Sequence, residues 1–324
     1  MTTLRMPYSG RLLVSHLAAY GLAFVADTSD LEAFVSHDPG SQSFEPVVSS
    51  TADSPEIAAA IRDSAIGLEE LVEADIDPGK TGNDRRPVIW ARATFTDDPE
   101  RARFVQRRQV ELATAAEADG DRRAQGLLAG LGATATWGPD EVKPSHGATA
   151  LDGVLGNHTS DLVRGVLRPA RAAAAAIEPD DLESSQWRSP SAGQRDKTGW
   201  TPPRTDVDLV HQWLACLGLA LLPVGHQSRA RSQTPAASHE GGKHRLTLPI
   251  LSSPTSVARL RALLALEALT EPLDESVENA GRPRMSDLRG RGVAEVVTFE
   301  RSYGASAGSS VSFTYGRGRR LDLL

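Results

Sequence analysis

Hydrophobic residues recur at helical spacing in several segments of the chain. Between residues 11 and 26, Leu13, Leu17, Tyr20 and Phe24 fall three or four positions apart, which predicts a helix with one continuous apolar face. The same spacing predicts further helices over residues 54–72, 98–118, 121–131, 161–177, 206–217 and 254–269. Helices therefore account for a large part of the predicted fold.

Short apolar runs between these helices predict strands. They cover residues 88–95, 219–224, 245–251, 293–299 and 310–315. Residues 225–242 are polar and are interpreted as a loop. Because helices and short strands are mixed along the chain, the predicted fold class is α+β, with a β region at the C-terminal end.

One segment has the composition of a linker. Residues 178–204 are rich in Pro, Ser and Gly and lack hydrophobic periodicity, which predicts a linker or mobile loop. This segment would separate an N-terminal α+β region, 1–177, from a C-terminal α+β region, 205–324. A chain of 324 residues can form two such cores.

A short pattern occurs twice, at the ends of two predicted helices. Residues 17–23 read LAAYGLA and residues 214–220 read LACLGLA, so both follow L-A-x-x-G-L-A. The central glycine either takes a left-handed conformation or permits close packing. The similarity is explained by chance in an Ala- and Leu-rich chain, or it marks two equivalent helix-to-strand corners, one in each half.

Charge is distributed unevenly between the two halves. Residues 1–150 contain 14 Lys and Arg against 23 Asp and Glu, whereas residues 151–324 contain 21 against 19. The segment 281–320 holds eight Arg and three acids. The chain has four lysines, and a GC-rich coding sequence, which favours Arg codons, also explains this preference for Arg over Lys. An acidic half beside a basic half is compatible with polyanion binding on one face and with a protein partner on the other.

The sequence lacks two motifs that would indicate a nucleotide or a zinc site. The tripeptide Gly79-Lys80-Thr81 lacks the earlier glycine of a P-loop, and the single Cys216 excludes a Cys-rich zinc ribbon. We therefore predict no catalytic residue, no metal and no cofactor. No apolar segment reaches the ~20 residues that span a bilayer, so we expect a cytoplasmic protein.

Three polar loops contain the residue types that contact nucleic acids. Arg, Lys, Gln and Ser donate hydrogen bonds to phosphates, Arg and Gln also contact base edges, and Trp stacks on bases. The candidate nucleic-acid-binding residues are Lys143, Ser145, His146, Asn157 and Arg164 around the first loop, Arg195, Lys197 and Trp200 in the second, and Gln227, Ser228, Arg229 and Arg231 in the third. Solvation alone also explains polar loops, and that alternative stays open here.

The segment that leads into the third loop, with the strand and helix beyond it, resembles a known family. Residues 213–224 (WLACLGLALLPV) precede the polar loop, and RLTLPIL at 245–251 and the helix from Ser256 to Leu264 follow it. This order is similar to the large-subunit-like proteins of type I CRISPR effector complexes (Cascade), especially the I-U/I-G branch. The Leu17–Ala23 helix resembles their opening segment, and together these pieces cover about a third of the chain.

The resemblance implies a non-catalytic subunit of an antiviral ribonucleoprotein complex. Such a subunit binds crRNA and double-stranded target DNA, recognises the protospacer-adjacent motif and contacts other effector subunits. It also recruits a separate helicase-nuclease. In guided systems of this kind the protein recognises the short motif while base pairing recognises the remaining target.

Two other classes of function are compatible with the sequence. One is an enzyme of small-molecule metabolism with its active site in the 143–159 and 226–244 loops, and the other is a protein–protein adaptor. A bound metal or a titrating His226 would favour the enzyme. Failure to bind a polyanion would favour the adaptor.

Overall fold

The computed structural model describes most of the N- and C-terminal parts of the chain. The described residues are 1–38, 42–66, 99, 102–103, 106–107, 110, 113–114, 122–130, 163–175, 200–201, 205–222, 225–227, 231–233, 236–240, 243–270, 282–304 and 312–322. The described helices are α1 (Leu13–Thr28), α2 (Ser54–Ile66), α3 (Arg122–Gly130), α4 (Arg168–Ala175), α5 (Leu209–Gly218), α6 (Val257–Leu264), α7 (Glu267–Thr270) and α8 (Arg282–Gly290). A π-helical turn, Val163–Leu167, precedes α4, and a 3₁₀ turn, Leu219–Leu221, follows α5.

The described strands form antiparallel sheets. They are β1 (Thr2–Arg5), β2 (Ala33–His37), β3 (Pro46–Ser50), β4 (Gly225–Gln227), β5 (Arg231–Gln233), β6 (Ala237–Glu240), β7 (Lys243–Leu251), β8 (Thr255–Ser256), β9 (Val293–Gly304), β10 (Ser312–Tyr315) and β11 (Arg319–Asp322). The first sheet has the order β1-β3-β2-β8. In the second sheet the order is β10-β9-β7-β6, and β11 pairs with β9 as well. β4 and β5 form a two-stranded sheet of their own.

Two helices lie at the centre of the core and are buried on all sides. Every residue of α1 from Leu13 to Ala26 is buried, and so is every residue of α5. A helix that is apolar all round requires partners on every face, and here α1 contacts α5, α2 and strands of the first sheet. Residues from both the 1–177 range and the 205–324 range contribute to one hydrophobic core.

The repeated sequence pattern is the site where these two helices cross. A Cβ atom on Gly21 would lie 1.7 Å from the Leu214 carbonyl oxygen, and one on Gly218 would lie 2.1 Å from that of Leu17. Both glycines have helical backbones, since neither has a positive φ. Of the two roles predicted for these glycines, close packing is therefore confirmed and the left-handed conformation is wrong.

The similarity between the halves continues beyond the crossing helices. α1 leads to the antiparallel pair β2 and β3 and then to α2, while α5 leads to the antiparallel pair β6 and β7 and then to α6. A side-chain cap opens the closing helix in both cases: Asp53 exchanges hydrogen bonds with Glu56, and Ser256 accepts one from the Arg259 amide. The chain thus contains an α-β-β-α unit twice. The β4–β5 pair lies between helix and strand in the second unit alone.

The α+β fold class is confirmed, and two local predictions are wrong. Residues 219–221 form a 3₁₀ turn and not the start of a strand, because the chain continues to coil after α5 and Leu222 donates to the Leu219 carbonyl at 2.9 Å. The polar segment 225–242 contains β4, β5 and β6, where a loop was expected. The predicted strand over 88–95 and most of the predicted 178–204 linker lie outside the described residues.

Candidate nucleic-acid interface

The third polar loop is organised as a β-hairpin. Gly225, His226 and Gln227 of β4 pair with Gln233, Ser232 and Arg231 of β5. Gln227 and Arg231, both candidate residues, therefore occupy directly opposite positions at the end of this short ribbon. Residues 228–230, which connect the two strands and include the candidates Ser228 and Arg229, lie outside the described residues.

The structure describes the first two loops only in part. Lys143, Ser145, His146, Asn157, Arg195 and Lys197 lie outside the described residues. Arg164 belongs to the π-helical turn that precedes α4. The candidate interface therefore rests, in the described part of the chain, on the hairpin and on arginines elsewhere.

Trp200 is a core residue. Its side chain is 0% exposed and belongs to the hydrophobic core that also contains Trp213. A ring buried in this way presents no face to a base, so the prediction that Trp200 stacks on nucleic acid is wrong. The apolar surface of an indole explains the burial, since large aromatic side chains dominate the energetics of cores.

Exposed arginines form a second group, which the loop analysis missed. Several are neutralised locally: Arg122 pairs with Asp27 at 2.6 Å, and Arg291 pairs with Asp287 at 3.0 Å. Within the described part of the chain, five exposed arginines have guanidinium groups with neither an ion pair nor a hydrogen bond. They are Arg11, Arg168, Arg261, Arg289 and Arg317. Two of them, Arg289 and Arg317, lie in the segment 281–320, where the excess of Arg over acidic residues indicates a basic surface.

Arg11 and Arg317 are adjacent in space although 306 positions separate them in sequence. The amide of Gly318 donates a hydrogen bond of 2.7 Å to the carbonyl of Arg11, which joins the segment before α1 to the segment between β10 and β11. Both arginines are exposed. Unpaired cations at one surface attract phosphate groups, and Arg presents a planar donor array to them.

Two buried histidines form a hydrogen-bonded chain through the core. His16 Nε2 lies 2.7 Å from the Gly10 carbonyl, His37 Nε2 lies 3.3 Å from His16 Nδ1, and the Leu251 amide donates to His37 Nδ1 at 3.0 Å. These partners require neutral rings, each with its proton on Nε2. Burial lowers the pKa of His16 to about 4 and lowers that of His37 well below its usual value.

The histidine chain has a structural role. Both rings are buried, and the Phe299 ring centroid lies 5.6 Å from that of His16. The chain connects α1, β2 and β7, and therefore the two large sheets. Because every ring nitrogen has a partner inside the protein, the pair offers no free atom for acid–base catalysis.

A second buried polar group lies at the start of α5. Asp208 Oδ1 accepts a 2.7 Å hydrogen bond from the Val210 amide and lies 3.7 Å from His211 Nδ1, and the Asp208 amide donates to Tyr8 Oη. The side chains of Asp208 and His211 are 0% exposed. This group caps a helix and fastens the N-terminal segment to it, which is a role in folding.

The described residues contain no cluster of three or more potential metal ligands. Cys216 is buried and its thiol contacts the Gly165 carbonyl at 3.4 Å. Within the same residues, no helix combines the length and apolar character that crossing a bilayer requires. No model of a known protein family matches the sequence, and no curated protein matches it either.

Proposed function

We propose that the protein is a non-catalytic, nucleic-acid-binding subunit of a crRNA-guided antiviral effector complex. In this role it contacts crRNA and double-stranded target DNA and recognises the protospacer-adjacent motif. The proposal combines the resemblance to type I large-subunit-like proteins with the chemistry of the β4–β5 hairpin and the exposed arginines.

The pairing of Gln227 with Arg231 is the observation that carries the proposal. It turns a polar loop into a two-stranded ribbon with hydrogen-bond donors at its end. A two-stranded ribbon is narrow enough to enter the major groove, where Gln and Arg form paired hydrogen bonds with adenine and guanine edges. Arg229 lies between the two strands in sequence and belongs to the same proposed contact.

The segments that resemble the family contribute to the same hydrophobic core. α5, β7 and α6 all contribute to the core around α1. The 3₁₀ turn at Leu219–Leu221 departs from the strand that the family pattern has there. We assign contacts with neighbouring subunits to the acidic N-terminal half of the chain. Recruitment of a separate helicase-nuclease is also part of this proposal.

Binding of duplex DNA by an Arg229→Ala/Arg231→Ala variant tests the proposal. The dissociation constant of a duplex carrying the flanking motif is measured by fluorescence anisotropy between 50 and 200 mM salt. Each lost phosphate contact lowers the slope of log K against log salt by about 0.9, so we expect weaker binding and a slope reduced by about 1 to 2.

The matched control is Arg5→Ala/Arg122→Ala. It removes the same charge at two exposed arginines that are paired with Asp38 and Asp27. Such exposed pairs contribute little to stability, so this variant folds and retains wild-type affinity. Equal losses of DNA affinity in both variants would show that the β4–β5 hairpin is not the DNA contact. A wild-type protein that binds neither duplex DNA nor RNA, and does not co-purify with RNA when expressed with its partner subunits, would reject the function and favour an adaptor.

A further inference from the structure

The last two strands of the second sheet are separated by a bulge. Tyr315 of β10 pairs with Arg301 of β9, and Arg319 of β11 pairs with Thr298. The three residues 316–318 therefore face the two residues 299–300 of β9. An extra residue at a sheet edge bends the strand locally and changes the direction of its side chains.

Two contacts hold this bulge in place. The Gly316 amide donates to the Glu300 carbonyl at 3.0 Å, and the Gly318 amide turns away from β9 to donate to the Arg11 carbonyl. A Cβ atom on Gly318 would lie 2.5 Å from Val297 Cγ2 and 2.7 Å from Phe299 Cε1, so the close approach requires glycine. Arg317 is thereby held on the surface beside Arg11.

The acids of the adjacent strand do not neutralise these two arginines. Glu300 pairs with Arg245 at 3.4 Å, and Glu295 pairs with Arg320. In the described residues the guanidinium groups of Arg11 and Arg317 have no carboxylate partner. The edge surface, defined as Arg11 and Arg317, therefore carries two positive charges that no acid of the described chain neutralises.

The other unpaired arginines of the C-terminal region have a local explanation. Arg261 and Arg289 lie in the last turns of α6 and α8. A cation there interacts favourably with the carbonyl end of the helix dipole. Arg11 and Arg317 have no such helix end beside them, and the hydrogen bond from the Gly318 amide to the Arg11 carbonyl places their backbone segments side by side.

We propose that the edge surface binds the phosphate backbone of a nucleic acid, independently of its base sequence. Arg11 and Arg317 each donate to phosphate oxygens, while the β4–β5 hairpin contacts bases. The inference rests on the proposed function, because it assigns a second contact surface to the same ligand. Any nucleic acid whose backbone passes this edge supplies the same phosphodiester groups.

An Arg11→Gln/Arg317→Gln variant tests the edge surface, with Arg261→Gln/Arg289→Gln as the control of identical charge change. The full-length proteins are titrated with two duplexes of unrelated sequence and with single-stranded RNA, at 50, 100 and 200 mM salt. Two lost phosphate contacts reduce the salt slope by about 1.8. Between 50 and 200 mM salt the wild-type affinity therefore falls about tenfold more than that of the edge variant.

The expected result is an equal loss of affinity for both duplexes in the edge variant, with the control close to wild type. Equal slopes in the edge variant, the control and the wild type would overturn the inference while leaving the proposed function intact. An edge variant that binds nucleic acid normally but no longer co-purifies with a partner subunit would also overturn it, in favour of an acidic protein surface. Absence of binding by the wild type would instead reject the proposed function itself.

Discussion

Acidification from pH 7 to pH 5 should weaken the folded state through the histidine chain of His16 and His37. Both rings are buried and neutral, and each accepts one hydrogen bond on Nδ1. Protonation of either ring removes an acceptor that the chain uses. In the unfolded chain both histidines regain an ordinary pKa of about 6.5 and bind protons first.

The magnitude follows from the pKa of His16, which burial lowers from 6.5 to about 4. Because the pKa of the folded state is the lower one, this contribution is complete above pH 6.5 and is lost as the pH falls towards 4. Proton linkage gives a loss of about 1 kcal/mol at pH 6 and about 2 kcal/mol at pH 5, with a limit of about 3 kcal/mol. The lowered pKa of His37 acts in the same direction.

Urea unfolding followed by tryptophan fluorescence at pH 7, 6 and 5 measures this loss. The comparison is with a His16→Gln/His37→Gln variant, in which an amide replaces each ring and nothing titrates in this range. The informative quantity is the change in unfolding free energy between pH 7 and pH 5, because carboxylate titration contributes to both proteins. We expect the wild type to lose at least about 2 kcal/mol more than the variant.

Equal pH dependence in the two proteins would refute this reasoning. It would mean that the histidines are solvated or already protonated in the folded state, and that the geometry from the Gly10 carbonyl to the Leu251 amide does not enforce neutrality. A variant that is less stable at pH 7 does not affect the test, since only the difference between pH values is compared.

Two further predictions concern the core. Gly218→Ala places a Cβ 2.1 Å from the Leu17 carbonyl oxygen and should lower the free energy of unfolding, measured by thermal unfolding, by about 3 kcal/mol or more. The control is Gly290→Ala, whose Cβ would meet no atom within 4 Å, so this variant should be as stable as the wild type or more stable. Similar changes in melting temperature for the two variants would contradict the tight helix crossing. The Trp213 indole donates a hydrogen bond to Ser64 Oγ at 3.1 Å. A double-mutant cycle of Trp213→Phe and Ser64→Ala, measured by unfolding, should therefore give a coupling energy of about 1 kcal/mol. If the losses of stability in the two single variants simply add in the double variant, the contact does not contribute.

Hydrophobic periodicity predicted the central helices because they obey it over many residues. The prediction over 11–26 matches α1, and 206–217 overlaps α5 closely. Prediction failed where the chain changes structure within a few residues, as at Leu219–Leu221, because an apolar run of that length suits a 3₁₀ turn, a helix end or a strand equally well.

The strands in the polar segment 225–242 were missed for a different reason. They are short and polar, and hydrophobicity carries no signal for them. Gly241-Gly242 connects paired residues Glu240 and Lys243, and two glycines in this position are typical of a two-residue hairpin. That local turn signal could have revealed β6 and β7 as partners.

The candidate site was only partly predictable, because its arginines converge through tertiary structure. Arg317 could be noticed in the basic C-terminal segment, but nothing in the sequence indicates that Arg11 lies beside it. Conversely, Trp200 occurs among polar residues and was expected at the surface, yet contacts made by the folded chain bury it. Burial depends on distant segments, which local composition does not report.

The internal repeat makes the differences between its two units informative. Both units conserve what the shared core requires: the glycine at the crossing, the paired strands and the capped helix. A feature needed only for folding would be expected in both. The β4–β5 hairpin interrupts the second unit between α5 and β6, whereas four residues, 29–32, join α1 to β2 in the first. An inserted ribbon with Gln227 and Arg231 paired at its end adds nothing that the first unit needs to fold. We therefore place the proposed nucleic-acid contacts on this ribbon and on the glycine-flanked Arg317 at the edge of the second sheet.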